Sequence, residues 1–93
     1  RVLQRFVETY REGAPTLLAS HGPDAVTRWR DVCHSLRPAC ATVGATRLAS
    51  ELQAFEQQLA GSPDALAHAA KARRLNDELI GLADRLGAAL GRV

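Results

Sequence analysis

The chain has 93 residues, which is enough for one domain but not for two. Its formal net charge of +2 is too weak to indicate nucleic-acid binding, and basic and acidic residues are mixed along the sequence. No apolar run approaches the roughly 20 residues that cross a bilayer, and no signal peptide is evident. The composition, rich in Ala and Leu, favours helices over strands.

The first predicted helix extends from about Val2 to about Ser20. Its apolar residues recur at helical spacing and end with two leucines: Val2, Leu3, Phe6, Val7, Tyr10, Leu17 and Leu18. Gly13 and Pro15 interrupt the pattern, since glycine and proline both weaken a helix interior. Two short helices and one long kinked helix therefore fit this segment equally well.

Three further helices follow, with short connections between them. The second runs to about Val43, with Pro23 and Asp24 suited to its start and Gly44 to its end. The third spans about Thr46 to Leu59. The fourth runs from about Asp64 to Leu90, where Ser62 can cap it and Pro63 can begin it. Short connections imply antiparallel neighbours. The sequence therefore predicts an all-α antiparallel four-helix bundle, with an extra N-terminal helix or a kinked first helix.

The second helix has a clear apolar side when its residues are placed at about 100° per residue. The residues that point to the core are Trp29, Val32, Cys33, Leu36, Cys40 and Val43. His34 lies about 140° away from that direction, with Arg30 and Arg37 at its flank. His34 should therefore project into water beside two guanidinium groups.

The other potentially reactive residues favour structural interpretations. Cys33 and Cys40 are about 10.5 Å apart along one helix, too far for a disulfide, and are expected to be small buried residues of a reducing cytoplasm. His21 and His68 are expected to be bystanders. Three scattered histidines do not supply a metal site, and no Gly-rich phosphate loop or catalytic triad appears. We expect no cofactor, no metal and no autonomous ATP-dependent kinase activity.

Several short segments together resemble the signature of histidine-containing phosphotransfer (HPt) domains of two-component phosphorelays. They are His34-Ser35-Leu36-Arg37-Pro38, Val43-Gly44-Ala45, Leu48-Ala49 and Phe55-Glu56, and Phe6 in the first helix also fits. The resemblance extends over nearly the whole chain, through the helix order, the loop lengths and the long last helix.

The resemblance implies that His34 accepts a phosphoryl group from a receiver-domain aspartate and passes it to another receiver. It implies that Arg37 stabilises the phosphoryl group and that Glu56 orients the histidine ring. Mg²⁺ is expected on the partner receiver and not on this chain. The residues expected to meet the receiver are Arg30, Pro38 and Ala41.

Pro38 is the main departure from the family pattern, which prefers glycine here so that the receiver can come close. Proline has no N–H for the carbonyl of residue 34, so we expect a kink near Arg37 or an early change in helix geometry. Such a change could impair docking. A degenerate docking module or a plain helical dimerisation domain, neither of which transfers phosphate, therefore remains an alternative.

The chain contains no methionine, which predicts that it is a piece of a longer protein. The family resemblance favours the C-terminal end of a hybrid sensor kinase, with a trimmed free-standing carrier as the other possibility. We expect a monomer in the cytoplasm that binds receiver domains, with no nucleic-acid partner and no direct membrane contact.

Overall fold

The computed structural model describes residues 2–15, 17, 24–61 and 64–91. Within these ranges it contains α-helices and no strands, which confirms the predicted all-α class. The helices are α1 (Val2–Tyr10), α2 (Ala25–Thr42), α3 (Thr46–Gly61) and α4 (Ala65–Gly91). No helix of this described part combines the length and the apolar character that a bilayer-spanning segment needs.

Pairs of contacts at the two ends of α2 and α3 show that these helices run in opposite directions. The rings of Trp29 and Phe55 lie 6.3 Å apart between centroids, near the start of α2 and the later half of α3. Ala41, near the end of α2, lines one groove with Thr46, the first residue of α3. The predicted antiparallel pairing is therefore confirmed for the two helices that carry the candidate site.

The segment after α1 is fixed by a buried amide on α4. The backbone N–H of Ala14 donates to Oδ1 of Asn76 at 2.8 Å. Gly13 has a φ of +80°, and a Cβ atom there would overlap the Asn76 side chain, so glycine is required on both grounds. One continuous first helix is thus ruled out, because α1 ends at Tyr10. Pro15 and Leu17 are helical again, and residues 18–23 lie outside the described ranges.

The core is continuous and takes one face from each helix. Its largest fully buried side chains include Phe55, Leu36, Leu52, Leu75, Leu79, Asn76, Cys33 and Cys40. The predicted apolar face of α1 is only partly buried: Phe6 and Val7 face the core, whereas Val2 and Leu3 remain exposed. Leu90, the last residue of the predicted fourth helix, is also exposed.

The start of α4 has a cap, but at a different residue from the one predicted. Asp64 caps α4 directly, because its Oδ1 accepts the Leu66 N–H at 3.1 Å. The predicted cap Ser62 and the predicted first residues Pro63 and Pro23 lie outside the described residues.

α2 continues through Pro38 to Thr42 without interruption, so the predicted early change in helix geometry is wrong. A bend of its axis near Arg37 stays a prediction.

Two predicted bystanders have different positions. His68 is buried on α4, with its ring edge-on to Phe55 at a centroid distance of 5.9 Å, and so belongs to the core. His21 lies outside the described residues. Cys33 and Cys40 are buried free thiols, as predicted.

Candidate functional site

The boundary between core and solvent on α2 falls between two consecutive residues. Cys33 is buried, and burial raises the pKa of its thiol to about 12, with Glu56 adding to the rise and Arg37 opposing it. His34, the next residue, has a side chain that is 74% exposed. Because successive helical residues are about 100° apart, sealing Cys33 in the core directs His34 outward. Both positions agree with the helical angles of the sequence.

A carboxylate from the neighbouring helix lies between the histidine ring and an arginine. Glu56 of α3 has Oε2 3.8 Å from Nδ1 of His34 and Oε1 3.5 Å from Nη1 of Arg37. At 3.8 Å the first contact is electrostatic, since a hydrogen bond needs a shorter distance. The structure thus brings together the three residues for which the sequence predicted chemistry: His34, Arg37 and Glu56.

The Glu56 carboxylate affects which ring nitrogen of His34 is available for reaction. A carboxylate near Nδ1 favours the tautomer that carries its proton on Nδ1. Nε2 then holds the free lone pair. The arrangement can therefore present one nucleophilic nitrogen to a partner without a separate general base in this chain.

On one side of His34 lies a groove of about 490 Å³ between α2 and α3, here called the α2/α3 groove. Its lining residues are His34, Arg37, Pro38, Ala41, Thr46, Ala49, Ser50 and Gln53. Most of these side chains are small or uncharged, so another protein can approach closely. The sequence predicts roles for the α2 residues but not for Thr46, Ser50 and Gln53. Their steps of three and four toward Glu56 place them on one face of α3.

On the other side of His34 lies a smaller groove of about 280 Å³, here called the Arg30 groove. Its lining residues are Thr27, Arg30, Asp31, His34 and Glu56. Arg30 is therefore separated from Pro38 and Ala41, with which the sequence analysis had grouped it. Asp31 has no predicted role, although it precedes His34 by three residues and so lies on the same side of α2.

No group of three or more His, Cys, Asp or Glu side chains that could hold a metal ion is found among residues 2–15, 17, 24–61 and 64–91.

A family model for the Hpt domain matches residues 1–89 of the chain. The chain belongs to the Hpt domain family. No curated protein and no solved structure matches it.

Membership in the Hpt family gives the general chemistry of the domain. Hpt domains take part in histidine phosphotransfer in phosphorelays and interact with receiver domains. The match covers α1, α2, α3 and nearly all of α4, so the family assignment applies to the whole bundle. Family membership alone does not identify the histidine that reacts, the residues that support it or the direction of transfer.

Proposed function

We propose that this Hpt domain carries the phosphoryl group on His34, accepting it from an aspartate of one receiver domain and passing it to another. The observation that carries the proposal is the 74% exposed ring of His34 with the Glu56 carboxylate at its Nδ1 side. The other histidine in the described ranges, His68, is buried and edge-on to Phe55, so a receiver cannot reach it.

The transfer step follows from the free lone pair on Nε2. Nε2 attacks the phosphorus of the receiver's aspartyl phosphate, the new P–N bond forms, and the P–O bond to the aspartate breaks. The aspartate leaves as a carboxylate, which needs no proton. The Nδ1 proton stays beside Glu56, where the carboxylate stabilises the positive charge that develops on the ring. In the second transfer, the aspartate of another receiver attacks the phosphorus, and the P–N bond to His34 breaks.

Positioning and charge stabilisation supply most of the catalysis in phosphoryl transfer. Arg37 lies one turn after His34 and is held by Glu56, so its guanidinium is already near the reaction centre. A planar guanidinium can bind two phosphoryl oxygens at once, which an ammonium group cannot do in the same way. Mg²⁺ would be supplied by the receiver.

The α2/α3 groove is the proposed docking surface for the receiver. Ala41 offers it little bulk beside Pro38, and Ala49 and Ser50 of α3 continue this low surface. Arg30 meets the receiver on the other side of His34. Docking there would enclose the exposed imidazole and exclude water from the phosphoryl group during transfer.

The test is phosphotransfer from a panel of receivers phosphorylated with labelled phosphate. We expect acid-labile label on the wild-type chain and none on His34→Gln. His21→Gln is the matched control, since it also removes one imidazole, and it should be labelled as the wild type is. Label that persists in His34→Gln would reject the assignment, as would a wild-type chain that no receiver in a complete cognate set can label.

A second candidate function, docking without transfer, is favoured by Pro38. Its exposed ring lies in the α2/α3 groove one turn after His34, where it adds bulk on the receiver's path. If Pro38 blocks transfer, Pro38→Gly should accept label at least tenfold faster than the wild type from the same receiver. Equal rates in the two proteins would show that Pro38 is compatible with transfer and would leave this candidate without support.

A further inference from the structure

The two arginines that flank His34 have different electrostatic surroundings. The guanidinium of Arg37 is 3.5 Å from the Glu56 carboxylate, which offsets its charge. Arg30 precedes His34 by four residues, is exposed, and forms no ion pair or hydrogen bond with another described residue. Of the two flanking arginines, Arg30 is therefore the one whose positive charge no close carboxylate offsets.

Helix geometry places the ring of His34 toward Arg30. Side chains on an α-helix tilt toward its N-terminus, so a residue covers the turn that precedes it. The His34 ring accordingly leans over the turn that carries Arg30 and Asp31, and all three residues line the Arg30 groove. Because Nδ1 is on the Glu56 side, Nε2 is the nitrogen left to face outward.

We propose that Arg30 contacts the phosphoryl group on Nε2 of His34 and adds positive charge there beyond that of Arg37, whose charge Glu56 offsets. The proposal rests on the assignment of His34 as the phosphoacceptor. A phosphoryl group in this groove is near two carboxylates, Asp31 and Glu56. Arg37 offsets Glu56, whereas Asp31 forms no ion pair with a described residue, so Arg30 is left to attract the phosphoryl group against the repulsion of Asp31. Substitutions of Arg30 and Asp31 should thus have opposite effects.

Phosphoramidate, a small anionic phosphoryl donor, tests this contact without any receiver. Nε2 attacks the phosphorus, the new P–N bond to the ring forms, and the P–N bond of the donor breaks. The donor nitrogen, already protonated as an –NH3+ group, leaves as ammonia and needs no proton from the ring. The second-order rate constant for phosphorylation at His34 is measured by site-resolved mass spectrometry. Because no protein docks, a residue that acts only in docking has no effect on this rate.

The variants are Arg30→Gln, Asp31→Asn and a matched control, Arg28→Gln. Arg28 lies on the same helix, is also exposed and also unpaired among the described residues, but points about 120° away from His34. Coulomb's law in water gives a roughly three- to tenfold loss of rate for Arg30→Gln. Asp31→Asn should raise the rate by about two- to threefold, and Arg28→Gln should leave it unchanged at 0.1 M salt.

Two results would overturn the proposal. If Arg30→Gln and Arg28→Gln react at the same rate with phosphoramidate, Arg30 has no special contact with the phosphoryl group. If Arg30→Gln slows only transfer from a receiver, Arg30 is a docking residue alone. Failure of the proposed function gives a different pattern: no receiver labels His34, while the phosphoramidate rate still depends on Arg30.

Discussion

The two faces of α2 differ in what stabilises them and in what they can do. On the inner face, Trp29, Cys33 and Leu36 are buried against α3 and the rest of the core. On the outer face, His34 is exposed, and its Nδ1 lies 3.8 Å from Oε2 of Glu56, whose Oε1 lies 3.5 Å from Nη1 of Arg37. Burial supplies most of the folding free energy, whereas exposed ion pairs contribute little. The core therefore holds the site in place, and the stability of the core does not depend on the site.

The largest expected effect comes from the core side of this comparison. Phe55 of α3 is fully buried and packs against Trp29 of α2 and His68 of α4. Phe55→Ala should lower the free energy of unfolding by about 3–5 kcal/mol, because it removes a large buried ring and leaves a cavity. Urea denaturation followed by circular dichroism measures this change.

The matched substitution on the outer face is His34→Gln. It should change the free energy of unfolding by no more than about 0.5 kcal/mol, since an exposed side chain has little packing to lose. If His34→Gln destabilised the protein as much as Phe55→Ala, the separation of the two faces would be wrong.

The next effect concerns Cys33 and its reactivity. Burial raises the pKa of the Cys33 thiol from 9.0 to about 12, so at pH 8 its thiolate fraction falls by about a thousandfold. The folded protein should therefore react with iodoacetamide about a thousandfold more slowly at Cys33 than the urea-unfolded chain does. Ser35→Cys, which places an exposed thiol on the same helix, is the control and should react fast. Equal rates at residues 33 and 35 would contradict the buried inner face.

Periodicity made the inner face of α2 predictable, and the same angles placed His34 in water. The period of a helix fixes which residues share a side, and this needs no knowledge of the neighbours. α1 shows the limit of that reasoning. Val2 and Leu3 share the apolar spacing but remain exposed, because burial requires a partner surface, and α1 is only nine residues long.

Contacts between helices were harder to predict than faces. The sequence assigned Glu56 to the histidine only through a family resemblance, and it gave no sign that Glu56 also contacts Arg37. The bond from Ala14 to Asn76 joins residues that are 62 positions apart, and nothing local to either residue indicates it. The division of Arg30 and Pro38 between two grooves likewise depends on how α3 packs beside α2.

Pro38 tests whether stability is lost at the outer face. It lies inside α2, where its ring nitrogen has no hydrogen to donate to the carbonyl of His34. Proline in a helix interior costs about 3 kcal/mol relative to alanine, and part of this is offset because proline also restricts the unfolded chain. Pro38→Ala should therefore raise the free energy of unfolding by roughly 1–2 kcal/mol in urea denaturation.

The control for Pro38→Ala is Ser35→Ala, an exposed substitution on the same helix that should change stability by a few tenths of a kcal/mol. A Pro38→Ala variant that is less stable than the wild type would mean that the ring makes packing contacts that outweigh the missing hydrogen bond. The outer face would then contribute more to stability than its exposure indicates.

The smallest expected effect lies where α3 packs on α4, away from His34. Glu78 of α4 lies close to Glu51 of α3, and burial together with Glu51 raises the pKa of Glu78, against Arg74 and Lys71, which lower it. Arg47 approaches Glu51 at 3.7 Å. Oε2 of each of these two glutamates is buried without a hydrogen-bond partner, so a proton on Glu78 can serve as a donor to Glu51.

The raised pKa sets the direction of the pH dependence. Because the folded state binds this proton more tightly than the unfolded chain, the stabilisation is fully present below pH 4.5 and is lost as the pH rises through the folded pKa. Glu78→Gln keeps a donor for Glu51 at every pH. It should raise the stability at pH 7 by at most about 1 kcal/mol, given the partial exposure of the pair, and leave it unchanged at pH 4.

Thermal unfolding at both pH values measures this difference, with the exposed Asp84→Asn on the same helix as the control for a lost negative charge. A gain at pH 7 that Asp84→Asn reproduces would be a general charge effect. A gain confined to Glu78→Gln would show that loss of the proton on Glu78 weakens the α3–α4 contact at neutral pH. α3 also carries Glu56, but the buried side chains of Leu52 and Phe55 hold α3 in place between Glu51 and Glu56. Titration of Glu78 should therefore leave the contact between His34 and Glu56 unchanged.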